Sequence, residues 1–228
     1  VSNARSAETV RDIVRVEGVD AGGYLQTQLT QDVFSLEVGD SAWSFLLKPK
    51  SEIIALMEVT RSGPDEYTLS MDSGWGDIVR NTIDEFLGRM DVSFVQTTQQ
   101  IAGDDEQDRI ARGWPKMGKE IDGSVTPAMT GIVAETVAFD KGCYPGQEFV
   151  ARVHYRDAQP PRRLVKVTFD DGASVSEGAV MSVEGDEVGI VTSAGQGVGL
   201  GYLMRSVGTP SHAVIGDVEV ELLPTRPS

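Results

Sequence analysis

The chain has 228 residues and a formal net charge of −15 at pH 7, with 40% hydrophobic and 24% charged residues. That length supports one large domain or two modest ones with a core that needs no disulfides, and the acidity excludes a broad, non-specific nucleic-acid binder, which needs a basic surface. One cysteine excludes an internal disulfide and fits a reducing compartment, and no run of ~18 apolar residues or signal sequence is present, so the expectation is a cytoplasmic protein with no membrane or direct nucleic-acid partner.

In chain order, Val10 to Val16 reads as a strand. Asp20 is placed to cap a short helix carrying Tyr24, Leu25 and Leu29, which Thr30-Gln31-Asp32 closes. Ala42 to Leu47 and Glu52 to Val59 are apolar runs joined by Lys48-Pro49-Lys50-Ser51, the pattern of a hairpin. After a loop at Arg61 to Asp65, Glu66 to Met71 alternates as a third strand. Trp75, Ile78, Val79, Ile83, Phe86 and Leu87 recur at helical spacing, with Asp72 or Ser73 as the expected cap. Asp91 to Val95 returns as a strand, and Asp104 to Arg112 is a short helix stopped by Gly113 and Pro115. Mixed strands and helices with hairpins predict an α+β fold over residues 1–160.

Near Asp157 to Pro161 the texture changes. Leu164 to Phe169, Ala179 to Val183, Glu187 to Thr192, Val198 to Met204 and Val214 to Leu222 are short β-rich runs punctuated by glycines, the pattern of a small antiparallel barrel over residues 161–228. Gly195 to Gly201 is glycine-rich but lies between strands, so a turn or bulge explains it better than a phosphate loop.

No zinc site is expected, because one cysteine and two distant histidines, His154 and His212, lack the usual ligand spacing. The charge is uneven: Lys141 to Lys166 holds six basic residues and two acids, and Arg109, Arg112, Lys116 and Lys119 form a second basic cluster with no acid between its ends. Two readings stand, a site for a small anion or arginines that pair with surface acids.

The one cysteine lies in Lys141-Gly142-Cys143-Tyr144-Pro145-Gly146-Gln147-Glu148. Tyr144 to Gln147 reads as a tight turn, with proline supplying the fixed φ and Gly146 the positive φ of a type II turn. Phe149 to Val153 continues at helical spacing, so the loop presents Cys143 beside a helix N-terminus, where an anion or thiolate is favoured. A buried, inert cysteine is the competing reading. An acid such as Glu148 in a first helical turn needs no ligand to account for it.

This octapeptide resembles the signature of the YgfZ-type folate-binding proteins, relatives of the glycine-cleavage T-protein, an aminomethyltransferase. Tyr24 to Val33 is similar to that family's Q-x-Q-x-T-x-D-V run, Arg109 to Glu120 to its R-I-x-x-G-x-P-x-x-G-x-E segment, and Ala151 to Arg156 to the continuation of the signature. The resemblance implies a T-protein-like folate-binding domain over residues 1–160 and a small C-terminal β-barrel. It implies tetrahydrofolate-dependent support of iron–sulfur cluster assembly or repair, with iron–sulfur proteins or assembly factors as partners and tRNA-modifying enzymes among the clients. It makes Cys143 the working thiol with Lys141 beside it. Gly142, Pro145 and Gly146 shape the loop, and Gln26, Asp32, Arg109, Glu120, Tyr144, Gln147, Glu148 and Arg152 are the folate-binding candidates.

Two departures narrow the expectation. Ala55 and Leu56 stand where the T-protein's adjacent aspartates fall, and an apolar pair cannot activate an amine, which argues against aminomethyl transfer. Met129 stands where the family has a glutamate that pairs with the pterin, a loss of about 2 kcal/mol, with Glu120 or Glu148 as possible substitutes. The alternatives are therefore a T-protein-type aminomethyltransferase and a non-catalytic protein-binding module that has lost folate.

Overall fold

A computed structural model of the chain describes residues 7–103, 105–156, 158–209 and 211–226. The helix start expected at Asp104 and the linker residue Asp157 lie outside these. The elements are β1 (Ala7–Glu17), α1 (Ala21–Gln28), a 3-10 turn (Val33–Ser35), β2 (Ser41–Leu47), β3 (Ile53–Gly63), β4 (Glu66–Asp72), α2 (Gly76–Glu85) and β5 (Ser93–Gly103). There follow the short helices α3 (Glu106–Ala111), α4 (Pro127–Thr130), α5 (Val133–Thr136) and α6 (Gln147–Tyr155). The last six are strands: β6 (Arg162–Thr168), β7 (Val180–Val183), β8 (Asp186–Ala194), β9 (Val198–Met204), β10 (Ser211–Ile215) and β11 (Val218–Pro224). The fold is α+β with a closed antiparallel barrel, as the patterning requires.

The chain divides into two compact units, residues 7–103 with 133–152, and residues 104–132 with 153–228. A single cut near residue 160 therefore describes the strands but not the packing. Residues 104–132 belong with the barrel, because α3 packs on β9 and α4 on β6.

The first unit is a five-stranded sheet of order β2-β3-β4-β1-β5. Each neighbouring pair is antiparallel. Val14 and Val16 of β1, Phe45 of β2, Met57 and Val59 of β3, Leu69 and Met71 of β4, and Val79 and Ile83 of α2 are fully buried. Strand β3 runs on through Arg61 to Gly63, which the sequence reads as loop, by way of a register shift.

Neither helix is capped by the side chain expected from local sequence, and at α2 a distant one takes the role. The Asp20 carboxylate makes no cap bond within α1 and instead accepts from the Asp91 N–H at 2.9 Å. At α2 the capping carboxylate is the buried Asp12 of β1, which accepts from the N–H groups of Gly74 (2.8 Å) and Gly76 (2.9 Å). Orphan N–H groups at a helix start need an acceptor, whichever part of the chain supplies it.

The second unit is the closed barrel β10-β11-β6-β9-β8-β7. Val165, Val167, Met181, Val191, Leu203, Ala213, Ile215, Val220 and Leu222 fill it. The run Val214 to Leu222 is a correction: it is not one strand but the hairpin β10–β11, turning at Gly216-Asp217 with Gly216 at φ 59°. The glycine-rich stretch is turn and close strand contact, for a Cβ on Gly201 would sit 2.6 Å from the Ile190 carbonyl.

Arg109 and Glu120 organise this unit from its interior. The Glu120 carboxylate accepts from Arg109 (2.9 Å), the Ser193 hydroxyl (2.6 Å), the Thr192 hydroxyl (2.9 Å) and the Lys116 N–H (3.0 Å). Arg109 also donates to Glu106, the Trp114 carbonyl and Ser193. Burial works against the guanidinium charge, but bonds and charges from Glu106 and Glu120 outweigh it and raise its pKa. The Arg109 hydrogen bond, opposed by partial burial and aided by the charges of Arg109, Lys116 and Lys119, holds Glu106 down at about 2.

Arg109→Met strands a buried carboxylate and is expected to cost about 3–5 kcal/mol in urea unfolding. The carboxylate of Glu106 is favoured in the folded state, so its contribution is complete above the ordinary glutamate pKa of 4.5 and disappears as pH falls toward 2. Acid titration of Glu106→Gln should therefore show a shallower loss of stability in that window than the native chain.

Candidate functional site

The cysteine loop is built from the turn outward. The Gln147 N–H donates to the Tyr144 carbonyl at 3.2 Å and Gly146 has φ 81°, which is the type II turn the sequence requires. The Gly146 carbonyl then accepts from Phe149 and Val150 and opens α6. A Cβ on Gly146 would lie 2.8 Å from the Lys48 carbonyl oxygen and 3.1 Å from Ser51 Cα, so glycine is needed both for its φ and for the approach to the β2–β3 connection. Ser51 itself holds φ 71° at this contact. Gly142 has open space where a Cβ would be, so the steric demand on glycine falls on Gly146. Cys143 is exposed, immediately ahead of the turn, which removes the buried-cysteine reading.

Lys141 anchors this loop. Its Nζ donates to the carbonyls of Gln26 (2.7 Å), Leu29 (2.6 Å) and Gln31 (2.9 Å). An ammonium has three protons, and all three are engaged. Gln26 and Leu29 stand at the C-terminal end of α1, where carbonyls lack intrahelical partners and the helix dipole favours a cation. Burial pushes Lys141 down to about 8, opposed by the charge of Asp32, and the group remains charged at neutral pH. The Tyr144 ring, whose hydroxyl burial pushes up to about 12, faces it with its centroid 5.4 Å away. Lys141 is thus a positioning residue, committed to the backbone.

The same segment is tied on its other side. The Ala138 N–H donates to the Thr30 carbonyl at 3.0 Å, and the buried Thr30 hydroxyl donates to the Thr136 carbonyl at 2.6 Å. Gln26 and Asp32 brace the turn that follows α1: Gln26 donates to Asp32 and accepts from the Val33 N–H, both at 2.9 Å, and Asp32 accepts from the Phe34 N–H at 3.2 Å. Sequence reasoning missed the acceptors Leu29 and Gln31 and the contact residue Ser51, because a carbonyl acceptor leaves no mark in side-chain identity.

The remaining candidates fall in both units. Gln147 is the first residue of α6, and Glu148 forms an exposed ion pair with Arg152 one turn on. Arg109 and Glu120 belong to the buried network of the other unit. The basic clusters follow the paired reading at several positions: Lys116 meets Glu106, Lys119 meets Glu106 and Glu177, and Arg162 meets Asp122. Ala55 and Leu56 are buried in β3, and Met129 is buried in α4. Among the described residues no group of three or more His, Cys, Asp or Glu could hold a metal ion.

Lys141→Met leaves three carbonyls without their donor and is expected to cost about 3 kcal/mol by denaturant unfolding. Lys141→Arg should not restore it, since a planar fork cannot serve three convergent acceptors. Gly146→Ala should cost at least about 2 kcal/mol in the same measurement.

The matching family model is that of the CAF17 C-terminal β-barrel domain, over residues 162–226, which coincide with β6 to β11. An uncharacterized protein of Haemophilus influenzae is 24% identical over 230 residues, 82% of each chain. Among solved structures, the glycine cleavage system aminomethyltransferase T from Bartonella henselae superposes with a TM-score of 0.77 at 16% identity, covering 97% of this chain and 87% of that one. Residues 162–226 are thus similar to the CAF17 C-terminal barrel family, and the chain shares the fold of the glycine-cleavage T-protein.

Proposed function

We propose that this chain is an accessory protein of iron–sulfur cluster assembly or repair that works through the thiol of Cys143. The observation that carries the reading is an exposed cysteine on a loop held from both sides, by the Lys141 clasp before it and the Gly146 turn after it. A thiol so placed meets a client's iron or sulfur with little conformational freedom left to lose. One cysteine cannot hold a cluster, so the cluster is cargo shared with a client.

Aminomethyl transfer is disfavoured by β3, because Ala55 and Leu56 are packed in the core and supply no carboxylate. Tetrahydrofolate enters as the ligand that the resemblance implies. The candidate residues fit it badly. Met129 offers no acceptor for a pterin, all of the substitute Glu120's bonds run inside its network, and Glu148 is exposed and paired with Arg152. The expected affinity for folate is therefore weak. That same misfit favours a second reading, a protein-binding module without folate.

In cells lacking this protein, Cys143→Ala is expected to leave cluster-enzyme activity near the uncomplemented level; full rescue by that variant sinks the thiol role. Calorimetric titration with a reduced folate separates the two readings. A lost bidentate acceptor worth about 2 kcal/mol corresponds to a roughly 30-fold weaker Kd, so micromolar folate should not saturate the chain. Tight binding would exclude the folate-free module and the misfit argument together.

A further inference from the structure

The two ends of the first unit's sheet are finished differently. At one end β2 is covered: Leu46 bridges to Leu29, and α5 packs on the strand. At the other, β5 pairs with β1 through eleven consecutive residue pairs, Ser93 to Gly103, without a register shift, and among the described residues no strand follows it. Exposed edges are ordinarily blunted by charge, proline or a bulge. β5, Ser-Phe-Val-Gln-Thr-Thr-Gln-Gln-Ile-Ala-Gly, has no charged residue and no proline in a chain of net charge −15. It is exposed over most of its length, with Val95 at 50% and Ile101 at 36%.

The order of residues within β5 points to the occupant. Val95, Thr97, Gln99 and Ile101 share one face, and Phe94, Gln96, Thr98 and Gln100 the other. Laid antiparallel against itself about a two-fold axis through Thr98, the strand places Val95 opposite Ile101, Gln96 opposite Gln100 and Thr97 opposite Gln99, each twice. Every exposed apolar side chain of the edge then meets an apolar one on the same face, each glutamine of the other face meets a glutamine, and no like charges oppose. Cross-strand pairs of this kind are the unit of sheet stabilisation, and an isologous contact about a two-fold axis closes at two copies.

We propose that the β5 edge is a homodimer interface, in which a second copy of this chain adds its own β5 antiparallel about Thr98 and continues the five-stranded sheet across the axis. Since both copies are strongly acidic, their general repulsion opposes association and is screened by salt, so the dimer strengthens as ionic strength rises.

Sedimentation of the full chain over micromolar to submillimolar concentration tests this. The expected result is a species of twice the 24.5 kDa chain mass, with a dissociation constant that falls on adding salt. Thr97→Lys with Gln99→Lys sets like charges across both symmetric pairings and should weaken the dimer at least tenfold. Thr97→Glu with Gln99→Lys sets opposite charges there and should restore it. Amide hydrogen exchange of the native chain gives a readout that needs no variant: β5 amides should gain protection with concentration. A monomer throughout the range, a dimer indifferent to the charge pairs, or concentration-independent protection of β5 overturns the proposal; a monomer that captures an extended segment of another protein on β5 does so in favour of that occupant.

Discussion

One ammonium group governs the region around the cysteine. Carbonyls at the end of α1 lack intrahelical partners, and burying them without donors would cost several kcal/mol in sum. Lys141 arrives from more than a hundred residues along the chain and satisfies Gln26, Leu29 and Gln31 together. That bond set fixes the start of the cysteine loop, as the Gly146 turn fixes its end. The consequence is chemical as well as structural: a lysine two residues from a cysteine suggests activation of the thiol, yet its three protons are directed at the backbone. The thiol is supported by position.

A second constraint acts in the barrel unit, where the charge pattern left two readings open, a ligand site or pairing with nearby acids. Arg109 and Glu120 have the residue types that recognise a folate, but a carboxylate with 0% exposure must be paired to stay charged. Arg109, Ser193, Thr192 and the Lys116 N–H meet that demand from within the unit. Ion pairs from Lys116, Lys119 and Arg162 to nearby acids extend the same pattern. Net acidity thus coexists with local basic clusters because the clusters neutralise particular carboxylates.

Strand placement and turn chemistry were the most legible parts of the sequence. The β2–β3 hairpin, β4 and β9 follow from alternation and apolar runs, and the type II turn at Tyr144 to Gln147 follows from Pro-Gly. Strand β5 was legible only at its start, since its Thr/Gln-rich remainder is exposed on both faces and carries no hydrophobic period to read. The β10–β11 hairpin was hidden inside one apolar run, although Gly216-Asp217 is a two-residue turn signal. α4 and α5 are single turns, too short for a helical period to register.

The local order of residue types determined what the backbone does over a few residues: where it alternates, where it turns, and where a glycine admits positive φ. It also determined the family resemblance and the absence of carboxylates at Ala55 and Leu56. Tertiary structure alone decided which polar groups meet. Asp12 caps α2 in place of Asp72 or Ser73, Lys141 closes α1, and Glu120 is consumed by Arg109, because each partner lies too many residues away for sequence spacing to record it. Exposure of Cys143 was decided the same way, by which surfaces the sheet, the helices and the Gly146 turn leave uncovered.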